Sequence, residues 1–290
     1  MEHAPVSKEA RIAGGARIGH FSVVDAAVQI AEDVLVGHHA VIESGASIGR
    51  GTRIGHFASI GSSVKIGSGC QIGDHVVIHQ GTVIGDHVRI DDGSSIGKQP
   101  MRAPNSAVTQ DRRQEPAQIG SRTLIGAGVV IYAGCRLGEK VLVADLSTIR
   151  EEVTIGNFSI IGRGVAIENK CTIGRYCKLE TNVYITAYST LEDRVFIAPG
   201  ALTSNDNYIG RTEERFKHFK GVTVRRGGRI GVGAVILPGR LVGEDTLIAA
   251  GAVLTKDAED RIIYAGVPAK ELRRVPEEQL LENQGWEDGA

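Results

Sequence analysis

An aliphatic residue stands at every sixth position from Ile12 to Ile96 without a gap, through Ile18, Val24, Ile30, Val36, Ile42 and onward in the same step. The series restarts at Ile119 and runs unbroken to Ile197, then resumes as Val224, Ile230, Ile236, Val242, Ile248 and Leu254. These are thirty-five hexads in three phase-locked blocks. A period of six is neither the period of about 3.6 of an amphipathic helix nor the simple alternation of a strand. It fits a solenoid whose coil holds three short strands, roughly eighteen residues per turn, with the aliphatics stacked inside. Thirty-five hexads then make nearly twelve coils.

A second inward position supports the register. Two residues before the aliphatic the chain carries a small or β-branched residue, as at Ala16, Ser22, Ala46, Thr52, Val64, Ser147 and Val165. All four cysteines (Cys70, Cys135, Cys171, Cys177) fall there and read as small buried hydrophobes rather than disulfide partners or metal ligands. Gly often follows the aliphatic, where a tight backbone turn is expected. Hydrophobic residues make up 42% but aromatics only 4%, which suits a narrow β-core better than a globular one built on large rings.

Two segments break the pattern, and insertions in a solenoid tend to carry its function. Residues 97–118 (GKQPMRAPNSAVTQDRRQEPAQ) are rich in Pro, Gln and Arg; residues 198–223 (APGALTSNDNYIGRTEERFKHFKGVT) hold more reactive side chains. Counting hexads from Ile96 to Ile197 puts the two loops on different corners. The expected organisation is a lead-in over 1–10, the solenoid over 11–256, and an extension over 257–290. In the extension a short amphipathic helix over Pro276–Gln284 would cap the open end through Leu280 and Leu281. Arg240 occupies an inward position, where a bulge or loop is expected.

The hexad [LIV]-G-x-x-[STAV]-x resembles that of the hexapeptide-repeat acyltransferases, which implies a left-handed parallel β-helix. The C-terminal third is similar to the nucleotide-sugar N-acetyltransferases. The similarity lies in KLETNVYITAYSTLEDRVFIAPGALTSND (178–206), GVTVRRGGRIGVGAVILPG (221–239) and AAGAVLTKD…AGVPAK (249–270). It implies an acetyl-CoA-dependent transfer to the amine of a nucleotide-linked amino sugar, with no metal, in a homotrimer whose sites lie between subunits. The N-terminal half, with its mid-helix loop, is reminiscent instead of the longer acyltransferases of lipid A synthesis.

By that resemblance CoA lies along small residues, here Gly200, Ala201, Ala234, Ala250, Gly251 and Ala252, with Arg225, Arg226 and Lys256 near its phosphates. Asn182, at a corner one coil below Ile197, corresponds to an Asn that holds the sugar; a left-handed turn is the competing explanation. Asp206 and His218 complete the candidate catalytic set. Glu180, Asn205, Asn207, Tyr208 and Arg211 are the candidate sugar contacts. An Asp in SNDNY could accept from the substrate or simply close an Asx-turn. His218 could act as general base or face solvent beside Lys217 and Lys220. The transfer needs no protein base if the amine arrives neutral and the departing thiolate takes its proton.

His20, His38 and His56, eighteen residues apart, stack on one corner with Asp74 next. Three ligands in a line do not make a tetrahedral cage, so a solvent-exposed or trimer-facing ladder is expected rather than zinc. Arg102, Arg112 and Arg113 could grip a diphosphate or keep the first loop soluble. A net charge of -1 gives no field for nucleic acid or an anionic membrane. No signal-peptide pattern opens the chain and no apolar run is long enough to span a bilayer, so a cytoplasmic protein is expected. The other readings are an acyl-carrier-protein-dependent or O-acyl transferase of the same fold, and a non-catalytic solenoid.

Overall fold

The computed structural model describes residues 6–109 and 112–286. The chain is an all-β, left-handed parallel β-helix that divides into two compact units, one of residues 1–104 and 109–152, the other of 105–108 and 153–290. The first unit holds the twenty-one strands from Arg11–Ile12 to Thr148–Ile149, three to a coil, hence seven coils. The second holds fifteen repeat strands from Thr154–Ile155 to Val253–Leu254, hence five coils. Together these are the twelve that the hexads imply.

Nearly every strand is two residues long, one outward and one inward. In the first unit the register stacks like on like. Ile12 pairs with Ile30, Ile30 with Ile48, Ile48 with Ile66, Ile66 with Ile84, Ile84 with Ile119, and Ile119 with Leu137. Ile12, at the end of the row, is 39% exposed, while Ile30 falls to 2%. Burying such a side chain contributes about 1.5–3 kcal/mol over leaving it in water. Backbone N–H groups donate to the next coil, as from Arg11 to the Val28 carbonyl at 2.8 Å and from Ala13 to Ile30 at 2.9 Å.

The second inward position admits Ser, Thr and Cys because one carbonyl serves all three. Ser22 Oγ donates to the Gly37 carbonyl at 2.8 Å, Thr52 Oγ1 to Gly67 at 2.8 Å, and Cys70 Sγ to Gly85 at 3.1 Å. All four cysteines are free and buried. Burial pushes the Cys171 thiol up to about 12 and that of Cys177 to about 11.

The glycine after the aliphatic has a different reason from the one expected. A Cβ on Gly19 would stand 2.3 Å from the Gly37 carbonyl oxygen, and one on Gly49 would stand 2.4 Å from the Gly67 carbonyl carbon. Close approach of coils, not turn conformation, requires these glycines. The left-handed backbone falls two residues later, at Phe21, His39, Phe57 and His75 (φ 55–60°) in the first unit. There the rings stack 4.9–5.0 Å apart.

Beside them the expected histidine ladder is present, with ring separations of 5.3 and 5.1 Å. Its nitrogens serve the backbone: His20 N–H donates to His38 Nδ1 at 2.8 Å, His38 N–H to His56 Nδ1 at 2.9 Å, and His56 N–H to Asp74 Oδ1 at 2.6 Å. Among the described residues no group of three or more His, Cys, Asp or Glu is placed to hold a metal. No described helix is long and apolar enough to cross a membrane.

The first loop leaves after the strand Ser95–Lys98 and the repeat resumes at Gln118–Ile119. The side-chain amides of Gln99 and the backbone of Gln114 close its neck with two bonds of 2.9 Å. Arg112 is tied to Glu152 at 2.7 Å and Arg113 to Gln80, which accounts for two of its three arginines; Arg102 is exposed.

In the second unit the stretch expected as loop from 198 still carries a strand, Leu202–Thr203, and Thr203 takes the inward place of the aliphatic with 5% exposure. The second loop therefore leaves at Ser204, and counting from Thr203 puts each loop after the third strand of a coil, not at different corners. Thr203 escapes a hydrophobic count, yet its Oγ1 donates to the Tyr184 carbonyl at 3.1 Å and accepts from Thr186 N–H at 2.7 Å.

Arg240 makes no bulge. The turn 237–240 is regular, and the side chain leaves the core along the Pro238 carbonyl (3.2 Å) toward Asp257 (3.6 Å). The end of the unit is capped by strands rather than by a helix. Ile262–Ala265 adds in parallel to Leu247–Ile248, and Lys270–Arg274 returns antiparallel to it. Beyond it the expected helix is two 3-10 turns, Glu277–Gln279 and Leu281–Asn283, with Leu280 packed on Ile263 and Val275.

Two outcomes follow. Gly49→Ala forces backbone apart and is expected to cost about 1–3 kcal/mol in chemical unfolding. The thiols of Cys171 and Cys177 should resist alkylation at pH 8 and react once the chain is unfolded, as read by mass.

Candidate functional site

In the second unit the corner after the second strand of each coil forms a column of left-handed residues: Gly164, Asn182, Gly200, Gly233 and Gly251, with φ between 60° and 67°. L-residues pay for this conformation and Asn pays least after Gly, so the sequence reads directly into the turn. Backbone bonds bind the column together. Asn182 N–H donates to Arg163 at 2.9 Å, Gly200 to Thr181 at 3.0 Å, Gly233 to Pro199 at 3.1 Å and Gly251 to Val232 at 2.9 Å. A Cβ added to Gly200, Gly233 or Gly251 would meet nothing within 4 Å. The result is an open corner whose left-handed places at Gly200, Gly233 and Gly251 carry no side chain, flanked by the exposed Pro199, Val232 and Ala250 and adjoining the exposed amide of Asn182.

Asn182 leans back toward the preceding coil, its Oδ1 lying 2.5 Å from where a Gly164 side chain would start. Glu180 opens the same turn, half-buried, its carbonyl accepting from Val183 N–H at 3.3 Å. Ala250 is exposed on the strip. Ala201, Ala234 and Ala252 face inward and are buried; their N–H groups close the turn onto Ala198, Gly231 and Ala249 at 3.4, 3.2 and 3.2 Å. They shape the corner from within.

The loop 204–222 is rooted after a third strand, so its base and Asn182 stand at different corners of their coils. Asp206 organises it. Its carboxylate accepts from Tyr208 N–H at 2.8 Å and Gly210 N–H at 3.0 Å, and Arg215 Nε lies 3.5 Å away. The Gly210 N–H chiefly, with Tyr208 and Arg215, holds the Asp206 carboxyl below its ordinary range. The carboxylate thus closes an Asx-turn. Asn205 accepts from Lys220 N–H at 3.2 Å, while Asn207, Tyr208 and Arg211 are exposed.

His218 ends the short helix Arg215–His218 and bonds Glu214 through Nε2 at 3.0 Å, with the Tyr208 ring 5.9 Å from its own. Lys217 joins the same carboxylate at 3.0 Å, and these two partners hold Glu214 below its ordinary range. Arg215 was the unmarked residue of this loop. Its guanidinium lies over the rings of Phe216 and Phe219 at 5.1 and 5.3 Å, and only the Glu-to-His spacing in EERFKH hints at a helical turn there.

The candidate cations are not brought to the strip within one chain. Arg225 and Arg226 follow a first strand, and Arg226 is committed to Glu192 through its N–H (2.9 Å) and to Glu244 (3.8 Å). Arg225 lies 4.0 Å from Asp260. Lys256 follows a third strand and is exposed.

Comparison with known proteins adds two family matches: the GMPPB C-terminal domain over residues 5–116, and the hexapeptide repeat of succinyl-transferase over 116–144. The second match describes the same six-residue repeat that runs through both units. The chain is built of hexapeptide repeats.

A 2,3,4,5-tetrahydropyridine-2,6-dicarboxylate N-acetyltransferase of Staphylococcus aureus is 44% identical over 50 residues, 17% of this hexapeptide-repeat chain and 21% of the relative. The chain thus spans about a fifth of the length of that relative. Among solved structures, PerB from Caulobacter crescentus in complex with CoA and GDP-perosamine is 27% identical, with TM-score 0.34, covering 50% of this chain and 54% of that one. The Francisella novicida UDP-N-acetylglucosamine acyltransferase is 15% identical, with TM-score 0.39, covering 98% and 74%.

In this hexapeptide-repeat protein the two halves of the C-terminal motif meet. Val253 N–H donates to the Gly266 carbonyl at 3.1 Å and Ala269 N–H to the Val253 carbonyl at 2.8 Å, so GAV-TKD and G-x-PAK close the end of the strip together.

Since Asp206 has a depressed pKa, its contribution to loop order is present above the ordinary carboxylate range and lost as pH falls through its folded value. Asp206→Ala should therefore raise tryptic cleavage at Arg211, Arg215 and Lys217 at pH 7 by roughly threefold or more. In the unaltered protein the same loosening should appear only on acidification.

Proposed function

We propose that this chain is an acyltransferase that moves the acetyl group of acetyl-CoA to the amine of a nucleotide-linked amino sugar. One observation carries the reading: the strip of Gly200, Gly233 and Gly251, whose bare backbone is open to solvent and ends at Asn182. A pantetheine arm is long, thin and amide-bearing, and it needs a side-chain-free track along which backbone groups can reach it. The GAV-TKD…GVPAK element and the local identity to an N-acetyltransferase support the same donor.

The amine nitrogen attacks the thioester carbonyl, the tetrahedral oxyanion collapses, and the carbon–sulfur bond breaks to release the CoA thiolate. That thiolate takes the proton the amine must lose. Asp206 and His218 are engaged by their own loop, so the chain's part is to align the two substrates, with the Asn182 amide toward the sugar. Arg225, Arg226 and Lys256 stand away from the strip of their own chain, which favours a homotrimer in which a neighbour brings cations to the donor phosphates. Consumption of acetyl-CoA fits a cytoplasmic setting.

Isothermal titration tests the donor. Acetyl-CoA is expected to bind in the micromolar range, and Gly233→Val to weaken it at least about tenfold, about 1.4 kcal/mol. Asn182→Ala should leave donor binding unchanged and raise KM for the amino-sugar nucleotide. No binding at millimolar acetyl-CoA overturns the proposal.

A further inference from the structure

The first unit departs from its own repeat at the root of its loop. There the strand Ser95–Lys98 carries a bulge between Ile96 and Lys98, with Gly97 in left-handed backbone at φ 83°. Elsewhere in the unit an inward hydroxyl donates to the carbonyl fifteen residues on, as Ser22 does to Gly37 and Thr52 to Gly67. By that rule Thr82 would find Gly97. Its Oγ1 is instead buried without a hydrogen-bond partner among the described residues. A hydroxyl buried unpaired destabilises the fold, and such a defect at one place in an otherwise regular stack points to a use for the bulge.

What the bulge brings together lies on the outer surface. Ser95 stands outward between Val77 and Val130 on the neighbouring strands, and His79, from the coil before, places Nε2 3.0 Å from Ser95 Oγ. Lys98, just past the bulge, has its ammonium 5.5 Å from the Tyr132 ring. Burial chiefly, and then the charge of Lys98, holds His79 below the ordinary imidazole range, so the ring is neutral at pH 7. With its proton on Nδ1, the ring accepts the Ser95 O–H at Nε2. Gln80, the next residue, is bonded by Arg113 of the loop, so the loop borders this spot.

We propose that Ser95 and His79 form a nucleophile and its base, a second reactive centre that hydrolyses small carboxylic esters. A hydroxyl is a weak nucleophile until a base within hydrogen-bond reach takes its proton. Ser95 Oγ bonds to the ester carbonyl carbon as its proton passes to His79 Nε2, with Lys98 as the nearby positive charge for the tetrahedral oxyanion. Collapse breaks the carbon–oxygen bond to the leaving group, which takes the proton from His79 and departs as an alcohol, leaving acyl-Ser95. Water, giving its proton to the same nitrogen, then releases the carboxylic acid and restores Ser95. Val77 and Val130 give the acyl group apolar surface on either side. The centre shares no residue with the strip of the second unit, so this inference and the acetyl-transfer reading can fail separately.

A fluorophosphonate, which phosphonylates activated serine hydroxyls, tests the pair, and the chain carries its own control. Ser59 stands on the same face two coils earlier, paired with Val41, and the place of His79 is taken there by Glu43, whose carboxylate accepts from Ser62 N–H at 2.9 Å. Peptide mass mapping of the labelled full-length protein is expected to find the phosphonyl group on Ser95 and not on Ser59. His79→Ala should slow the labelling roughly a hundredfold, and His79→Gln, which keeps a hydrogen-bond acceptor but takes no proton, should do the same if the alanine variant unfolds. Ser95→Ala, at an unchanged melting temperature, should remove the burst of p-nitrophenolate from p-nitrophenyl acetate and leave acetyl-CoA binding as it was. Labelling of Ser95 no faster than of Ser59 overturns the proposal. So does labelling that both His79 variants leave unchanged, or loss of acetyl-CoA binding in Ser95→Ala, which would merge the two centres.

Discussion

At the turns opened by a glycine such as Gly19 or Gly49, successive coils lie so close that no Cβ fits between that first turn residue and the backbone of the next coil. At Gly19, Gly37, Gly49 and Gly120 the clash would be with carbonyl groups, which cannot rotate aside. Everything else in the molecule is arranged around that approach. It brings inward aliphatics into contact along each face, sets the ring spacing of the histidine and phenylalanine columns, and lets one carbonyl satisfy a Ser, Thr or Cys on the neighbouring coil. A chain of small increments, each repeated, replaces the single large core of a globular domain.

The same approach explains which residues are free to do chemistry. Inward positions and turn amides are spent on stacking; Ala201, Ala234 and Ala252 show this, since their methyls and N–H groups both serve the corner. What remains is the outer surface of the turn and the loops that interrupt it. Where the left-handed place is Gly, the corner is a smooth track; where it is Phe, Tyr, His or Arg, it becomes a column of stacked planes. One architectural slot thus yields either a groove or an aromatic wall, depending on a single residue per coil.

The fold was legible because its period is written in one residue class. Ile12 to Ile96 gives the register without help from composition, and the number of coils follows. The second loop was misplaced because Thr203 fills an aliphatic position with a hydroxyl that finds both a donor and an acceptor, which no hydrophobic count can foresee. The bulge expected at Arg240 fails for a similar reason: a long side chain can leave the core along a carbonyl. Of the candidate site, the strip from Asn182 to Gly251 was readable from its glycines and the loop from SNDNY. That Asp206 and His218 are engaged by Gly210 and Glu214 was not, because partners inside a loop depend on its path.

The terminal hairpin has a consequence beyond closing the core. A stack of in-register parallel strands is an amyloid-like template held within one chain, and its last rung presents unpaired N–H and C=O groups to any passing strand. Here that rung, Ile262–Ala265, is answered by an antiparallel partner, KELRR, whose five residues are all exposed and four of them charged. A second chain arriving in the parallel sense meets reversed polarity and like charge instead of a continuation. On that face the hairpin ends a stack that could otherwise continue.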